Sequence, residues 1–206
     1  TILTYFGVAI GFVSTALIFP KFLTTSEIGL LSIFLSYALI FSQIATLGTG
    51  RITIVVYPFF KDRNNSHHGF FLLMITISVI GLILALLVLF FMKSWLISNS
   101  TDKSALFGQY FNYLFPLIIF TLLFQVMDTF NTTLFNAIRG IFLKEFLQRL
   151  IILISVIFYA LAWVNFNQFV MLSVLAVGIP AFILVYYLLR NDEFCLKPVF
   201  TPLIKE

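Results

Sequence analysis

Six polar side chains, Thr121, Gln125, Asp128, Thr132, Asn136 and Arg139, recur at spacings of 4, 3, 4, 4 and 3 in an otherwise largely apolar stretch. At about 100° per residue they share one helix face, within an arc of about 80°. An acid well inside an apolar span is costly against lipid, so this stripe must face other helices or a wet cavity. Two chemistries remain open. Asp128 either forms an interhelical ion pair, for which Arg149 on the segment returning after Gly140 has the reach, or it belongs to a path for a polar passenger together with Gln125, Thr132 and Asn136.

A second candidate is Arg51, which closes the string Leu47-Gly48-Thr49-Gly50-Arg51. Two glycines bare the backbone beside a planar cation whose fork of donors matches phosphate oxygens. An anionic headgroup would suit it. The plainer reading is an interfacial arginine that snorkels to the membrane surface and sets orientation. Glu145 and Arg149, four apart, read as an ordinary helical ion pair. His67-His68 sits among Asn64, Asn65 and Ser66, and adjacent helical residues point about 100° apart, so the pair reads as solvated loop and not as a metal site. No glycine-rich phosphate loop, zinc-protease helix or spaced nucleophile and base occurs, so neither an enzyme nor a cofactor is expected. Cys195 is the single cysteine, which excludes an internal disulfide.

The elements that position these residues follow from composition. The chain has 206 residues, 61% of them hydrophobic and 10% charged, with a mean hydropathy of +1.10. Ordinary soluble domains carry about 25% charged residues, so the solvent for most of these side chains is lipid. The 12 Lys and Arg against 8 Asp and Glu would hint at nucleic acid in a soluble protein. Here the basic residues sit at the ends of apolar runs, and no nucleic-acid partner is expected.

The expected fold is all-α: a polytopic six-helix transmembrane bundle over residues 1–190, followed by a cytoplasmic tail or linker at 191–206. The spans are read at about 2–19, 27–60, 69–92, 110–138, 144–164 and 166–189. The first is expected to stop at Pro20-Lys21 and carries Gly7, Gly11 and Ser14 on one face, where a neighbouring helix can pack closely. Thr24-x-x-Glu27 is a capping box that starts the second span near Ser26. That span is read as one long helix through Arg51 to Phe60. Pro116 in the fourth span and Gly178 with Pro180 in the sixth predict kinks. No cleavable signal peptide is read, and the ends at Thr1 and Glu206 read as those of a fragment.

With a cytoplasmic N-terminus, the cytoplasmic side collects Arg51, Lys61, Arg63, Arg139, Lys144, Arg149, Arg190, Lys197 and Lys205, against Lys21, Lys93 and Lys103 opposite. This asymmetry of nine to three predicts that both ends are cytoplasmic. Aromatic residues near span ends, such as Tyr57, Trp95, Tyr113 and Trp163, fit interfacial belts.

Two stretches carry a family resemblance: Pro20-Lys-Phe-Leu-Thr-Thr-Ser-Glu-Ile-Gly29 after the first span, and Leu47-Gly-Thr-Gly-Arg51 through Tyr57-Pro-Phe-Phe60 in the second. With the hairpin lengths of all six spans, they make the chain resemble the polysaccharide flippases of the MOP superfamily (multidrug, oligosaccharidyl-lipid and polysaccharide exporters). The resemblance implies one half of a MATE-like transporter with twelve or more helices, whose C-terminal six-helix half would be the partner across a central cavity. It implies movement of an undecaprenyl-pyrophosphate-linked oligosaccharide across a bacterial cytoplasmic membrane, with Arg51 as a cavity cation for pyrophosphate.

Three other readings compete. A drug or cation exporter of the same superfamily would use Asp128 as its ion site. A membrane polymerase or glycosyltransferase would need a large outer loop, whereas the longest expected here, Lys93 to Gln109, has 17 residues. A structural membrane subunit is the third.

Overall fold

The computed structural model describes residues 2–60, 69–99, 105–134 and 137–190. These residues form helices and turns, with no strand among them. Five helices are long and apolar enough to cross a membrane: Thr4–Phe22, Thr25–Ala45, Phe70–Ile97, Leu106–Thr133 and Phe166–Leu189. The chain is thus an all-α membrane protein. Its outward faces bear this out, since Phe59 and Phe91 are 83% and 77% exposed while Phe71, Phe111 and Phe169 are fully buried. Apolar surface of this extent has lipid as its natural solvent.

Helix α1 covers residues 2–22 and does not stop at Pro20. It passes from α-helix (Ile2–Phe12) through a π-helical stretch (Val13–Ile18) into a last turn, Phe19–Phe22. Pro20 has no N–H to give Ala16, and the wider winding just before it absorbs the loss, with the Phe19 N–H bonding back to the Ser14 carbonyl. Helix α2 (Thr25–Ala45) starts at the expected capping box: the Thr24 side chain takes the Glu27 N–H and the Glu27 carboxylate takes the Thr24 N–H at 2.7 Å.

The second span is not one helix. It breaks after Ala45 and resumes as α3 (Thr49–Phe60), because Leu47 and Gly48 adopt positive φ values of 48° and 81°. Two left-handed residues in succession cannot continue a right-handed helix.

Helix α4 (Phe70–Asn99) is longer than expected. Helix α5 covers 105–133 and ends at Thr133, not near residue 138. Pro116 falls in the first turn of its Leu114–Thr133 segment, directly after a 3₁₀ turn at Phe111–Tyr113, so the expected interruption takes the form of a tightened turn. The described residues of 93–109, expected as the longest loop, are helical: 93–99 belong to α4 and 105–109 to α5.

Helix α6 covers 137–160 and includes a π-helical stretch, Phe142–Gln148. It begins earlier and ends earlier than expected. Arg139 therefore belongs to α6, not to the polar stripe of α5, and it lies over the Tyr187 ring at 5.3 Å. Helix α7 (Phe166–Leu189) matches its expected bounds. It packs extensively along α5, which is the central helix and also touches α2, α3, α4 and the start of α6.

The small face of α1 packs as expected. A Cβ on Gly7 would collide with the Glu145 carbonyl, and one on Gly11 would collide with the Arg149 guanidinium. Arg149 forms the ion pair with Glu145 and donates to the Gly7 carbonyl at 2.8 Å, tying α1 to α6. The alternative of an Asp128–Arg149 pair is thereby excluded, since both ends of the guanidinium are engaged on the α1 side.

Arg149→Met should cost about 1.5–3 kcal/mol, the usual worth of hydrogen bonds to a charged group. The double variant Arg149→Met with Glu145→Leu should recover much of this, because no unpaired charge is then left half-buried. Thermal unfolding in detergent measures both. A double variant as unstable as the single would show that the carboxylate is not the source of the loss.

Candidate functional site

The break between α2 and α3 is built from local hydrogen bonds. The Thr46 hydroxyl donates to the Gln43 carbonyl at 2.7 Å, and the Leu47 N–H reaches the Ile44 carbonyl at 3.0 Å. The Thr49 hydroxyl donates to the Thr46 carbonyl at 2.7 Å and meets the Ser78 hydroxyl of α4 at 3.1 Å. The N–H groups of Arg51 and Ile52 both bond to the Gly48 carbonyl. Backbone groups released by the break are thus largely re-satisfied. Leu47, as a non-glycine residue in a left-handed conformation, costs about 1–2 kcal/mol, a strain of the kind held at functional positions.

The depth of the break follows from its neighbour on α4. A Cβ on Gly81 would collide with the Ala45 carbonyl, so the last turn of α2 lies directly on Gly81. Gly81 is eleven residues from Phe70 and sixteen from Ile97, the ends of that span, or about 17 and 24 Å along the helix axis. The discontinuity therefore lies beside α4 about two-fifths of the way from Phe70 to Ile97. Interrupted helices are tolerated in membrane proteins where the irregular backbone lines a cavity.

Such a cavity is present, with a volume of about 360 Å³, between α2, the break, α5 and α6. Its charged lining residues are Arg51, Asp128 and Lys144, with Gln43, Gln125 and Thr129 among the polar neutral ones. The volume lies within the usual range for small-molecule sites, about 300–1,000 Å³. Arg51 stands in the first turn of α3 and is exposed towards this space. Lys144 comes from the π-helical stretch of α6, where seven residues are wound more widely than in an α-helix. Gln125 donates through Nε2 to the Ser42 hydroxyl of α2 at 3.1 Å, while its buried Oε1 has no hydrogen-bond partner among the described residues. The Thr129 hydroxyl donates a hydrogen bond to the Gln125 backbone carbonyl at 2.9 Å. The Asp128 carboxylate lies against Gly140, where a Cβ would occupy the same space. Only glycine at 140 lets α6 approach so closely.

Of the residues expected from sequence, Arg51, Gln125 and Asp128 meet at this cavity. Thr132 does not. It shares their direction on α5 but lies past Phe130, the last α5 residue that lines the cavity, and its side chain is exposed. Asn136 and the His67-His68 pair lie outside the described residues. Lys144 was expected only as an orienting charge. No feature of its local sequence marks it as cavity-lining; the contact of α6 with α5 does. Thr129, next to Asp128 and four residues after Gln125, was within reach of the helical-face argument. Comparison with family models, curated proteins and solved structures finds no match to this chain.

Proposed function

We propose that the chain is a six-span bundle of a MATE-like flippase that moves a lipid-linked oligosaccharide across the bacterial cytoplasmic membrane. The observation that carries this reading is the polar cavity beside the break between α2 and α3, lined by two cations and one acid. A net positive lining inside an apolar protein favours an anionic group, and a diphosphate is the anion that joins a sugar chain to a polyprenyl carrier. The family strings at 20–29 and 47–60 point the same way, because the second of them forms the break itself.

The helix that raises the five spans to six in this reading is α6, the fifth in chain order. It is 24 residues long, and Glu145 with Arg149 neutralise each other on the Gly7 face. Both ends of the bundle then face the cytoplasm, as the basic residues require. A second six-helix half would close the cavity from the opposite side.

Asp128 in the same cavity supports a second reading, a cation exporter. Complementation decides between them. The protein expressed from its complete reading frame should restore surface glycan in a flippase-deficient strain. Failure to do so at matched membrane levels, with gained resistance to cationic drugs, would establish the exporter instead.

A further inference from the structure

The exposed faces of the spanning helices differ in kind. On α7 the exposed residues between Met171 and Phe182 are all apolar, and on α4 those between Leu73 and Phe91 include a single polar one, Thr76. On α2, by contrast, Ser32, Ser36 and Gln43 are all exposed, and spacings of 4 and 7 set them within an arc of about 40°. Ser36 is eleven residues from one end of the Thr25–Ala45 span and nine from the other, so the stripe crosses the centre of that helix. A glutamine amide and two hydroxyls on one face are poorly suited to lipid, and they call for water or a polar molecule.

Around the two serines the surface is hollowed into a groove of about 350 Å³, completed by Ile33, Tyr37 and Ile40. Among the described residues its lining carries no charged group. The Ser32 hydroxyl donates to the Ile28 carbonyl at 2.9 Å, and the Ser36 hydroxyl donates to the Ser32 carbonyl at 2.8 Å. Both protons are committed, so what the serines still offer is lone pairs. Tyr37 packs on Phe41 and Phe107, with ring centroids 6.4 and 6.0 Å away, which holds its ring in place. The groove thus joins hydrogen-bond acceptors to one aromatic and two aliphatic side chains. A pyranose matches that pairing, because hydroxyl donors ring its edge and C–H groups cover its faces. Gln43 lines the polar cavity as well, so this face of α2 leads into it, over roughly 10 Å from Ser36 and 16 Å from Ser32.

We infer that this groove is a second binding site, which takes an uncharged, hydroxyl-bearing sugar of the cargo while the cavity holds its anionic group. The inference rests on the flippase reading and adds where the sugar chain lies. Ser32 and Ser36 accept hydrogen bonds from sugar hydroxyls, Tyr37 and Ile40 meet the C–H faces, and Gln43 bridges the two sites. Each hydrogen bond here is between neutral groups and so is individually weak, which lets the chain advance along α2 without being trapped.

Thiol accessibility in the complete protein tests whether the groove is open to water. In a Cys195→Ser background, Ser36→Cys should react with a charged methanethiosulfonate about tenfold faster than Ile80→Cys on the apolar face of α4, because the reactive thiolate forms in water and not in lipid. Binding in nanodiscs tests the occupant, with farnesyl diphosphate and chitobiosyl diphosphofarnesol as probes. Wild type should hold the sugar-bearing probe about tenfold more tightly, and Ser32→Ala with Ser36→Ala should cut that advantage to about twofold while leaving the affinity for farnesyl diphosphate unchanged. Acceptors for free hydroxyls do not select among hexoses, so any sugar of this class serves. If Ser36→Cys reacts no faster than Ile80→Cys, lipid or a packed helix covers the groove and the inference is wrong. It is equally wrong if the two probes bind alike or the serine pair leaves the sugar's advantage intact, whereas the flippase reading then stands because the anion still binds. If wild type binds neither probe, both fall.

Discussion

On the proposed flippase reading, Arg51→Gln should reduce flipping to a small fraction of wild type, and Arg51→Lys should be impaired as well. The structure puts Arg51 in the first turn of α3, directly after the left-handed Leu47-Gly48 pair and on the wall of the polar cavity. A charged hydrogen bond to phosphate is worth about 1.5–3 kcal/mol, on the order of 10–150-fold in binding. Lysine keeps the charge, and with it the orienting signal, but it loses the planar fork that meets two oxygens at once. A purely topological arginine would therefore tolerate lysine. Surface-glycan complementation at matched membrane levels measures both variants. Full activity of Arg51→Gln would remove this residue from the site, and full activity of Arg51→Lys would reduce its part to that of a point charge.

Gly81→Val should cost about 1–3 kcal/mol, the range for overpacking a filled contact. Any Cβ at this position would collide with the Ala45 carbonyl, so α2 and α4 have to separate where the second span breaks. The damage should extend to the cavity, because Gln43 and Thr46 of its wall belong to the displaced turn. Gly29→Ala is the control. It lies inside α2 with nothing within 4 Å of the added methyl, and it should gain about 0.5–1 kcal/mol from the lower flexibility of alanine in the unfolded chain. Thermal unfolding in detergent reads both. If Gly81→Val is as stable as wild type, the two backbones are not pressed together and the position of the break has another cause.

The two glycines illustrate what a sequence carries and what it does not. Both sit in apolar helical stretches with no local mark of difference, yet one is irreplaceable and the other idle. The Thr24 to Glu27 capping box, the bounds of α7 and the small face of α1 were legible, because each depends on residues within one or two turns of one another. The break at residues 46–48 reads as continuous helix in the sequence because its glycines are tolerated in membrane helices and apolar residues recur on both sides of it. What makes the break visible is the seat of Ala45 on Gly81 and the Thr49–Ser78 contact, both between helices. The same limit bears on Arg149: the open alternative of a pair with Asp128 falls because Glu145 and a carbonyl on α1 engage its guanidinium.

By itself, the sequence determined that the chain lives in lipid, that it is all-helical, and that Asp128 and Gln125 turn inward on a shared face. Those properties come from composition and from periodicity along one helix, which local physics controls. Which residues share the cavity was decided by tertiary structure alone. Thr132 left the set because the cavity ends before it, and Lys144 entered because Gly140 lets α6 press against the Asp128 carboxylate. Axial overlap between helices and the depth of their contact depend on groups far apart in the chain, and no single stretch of residues encodes them.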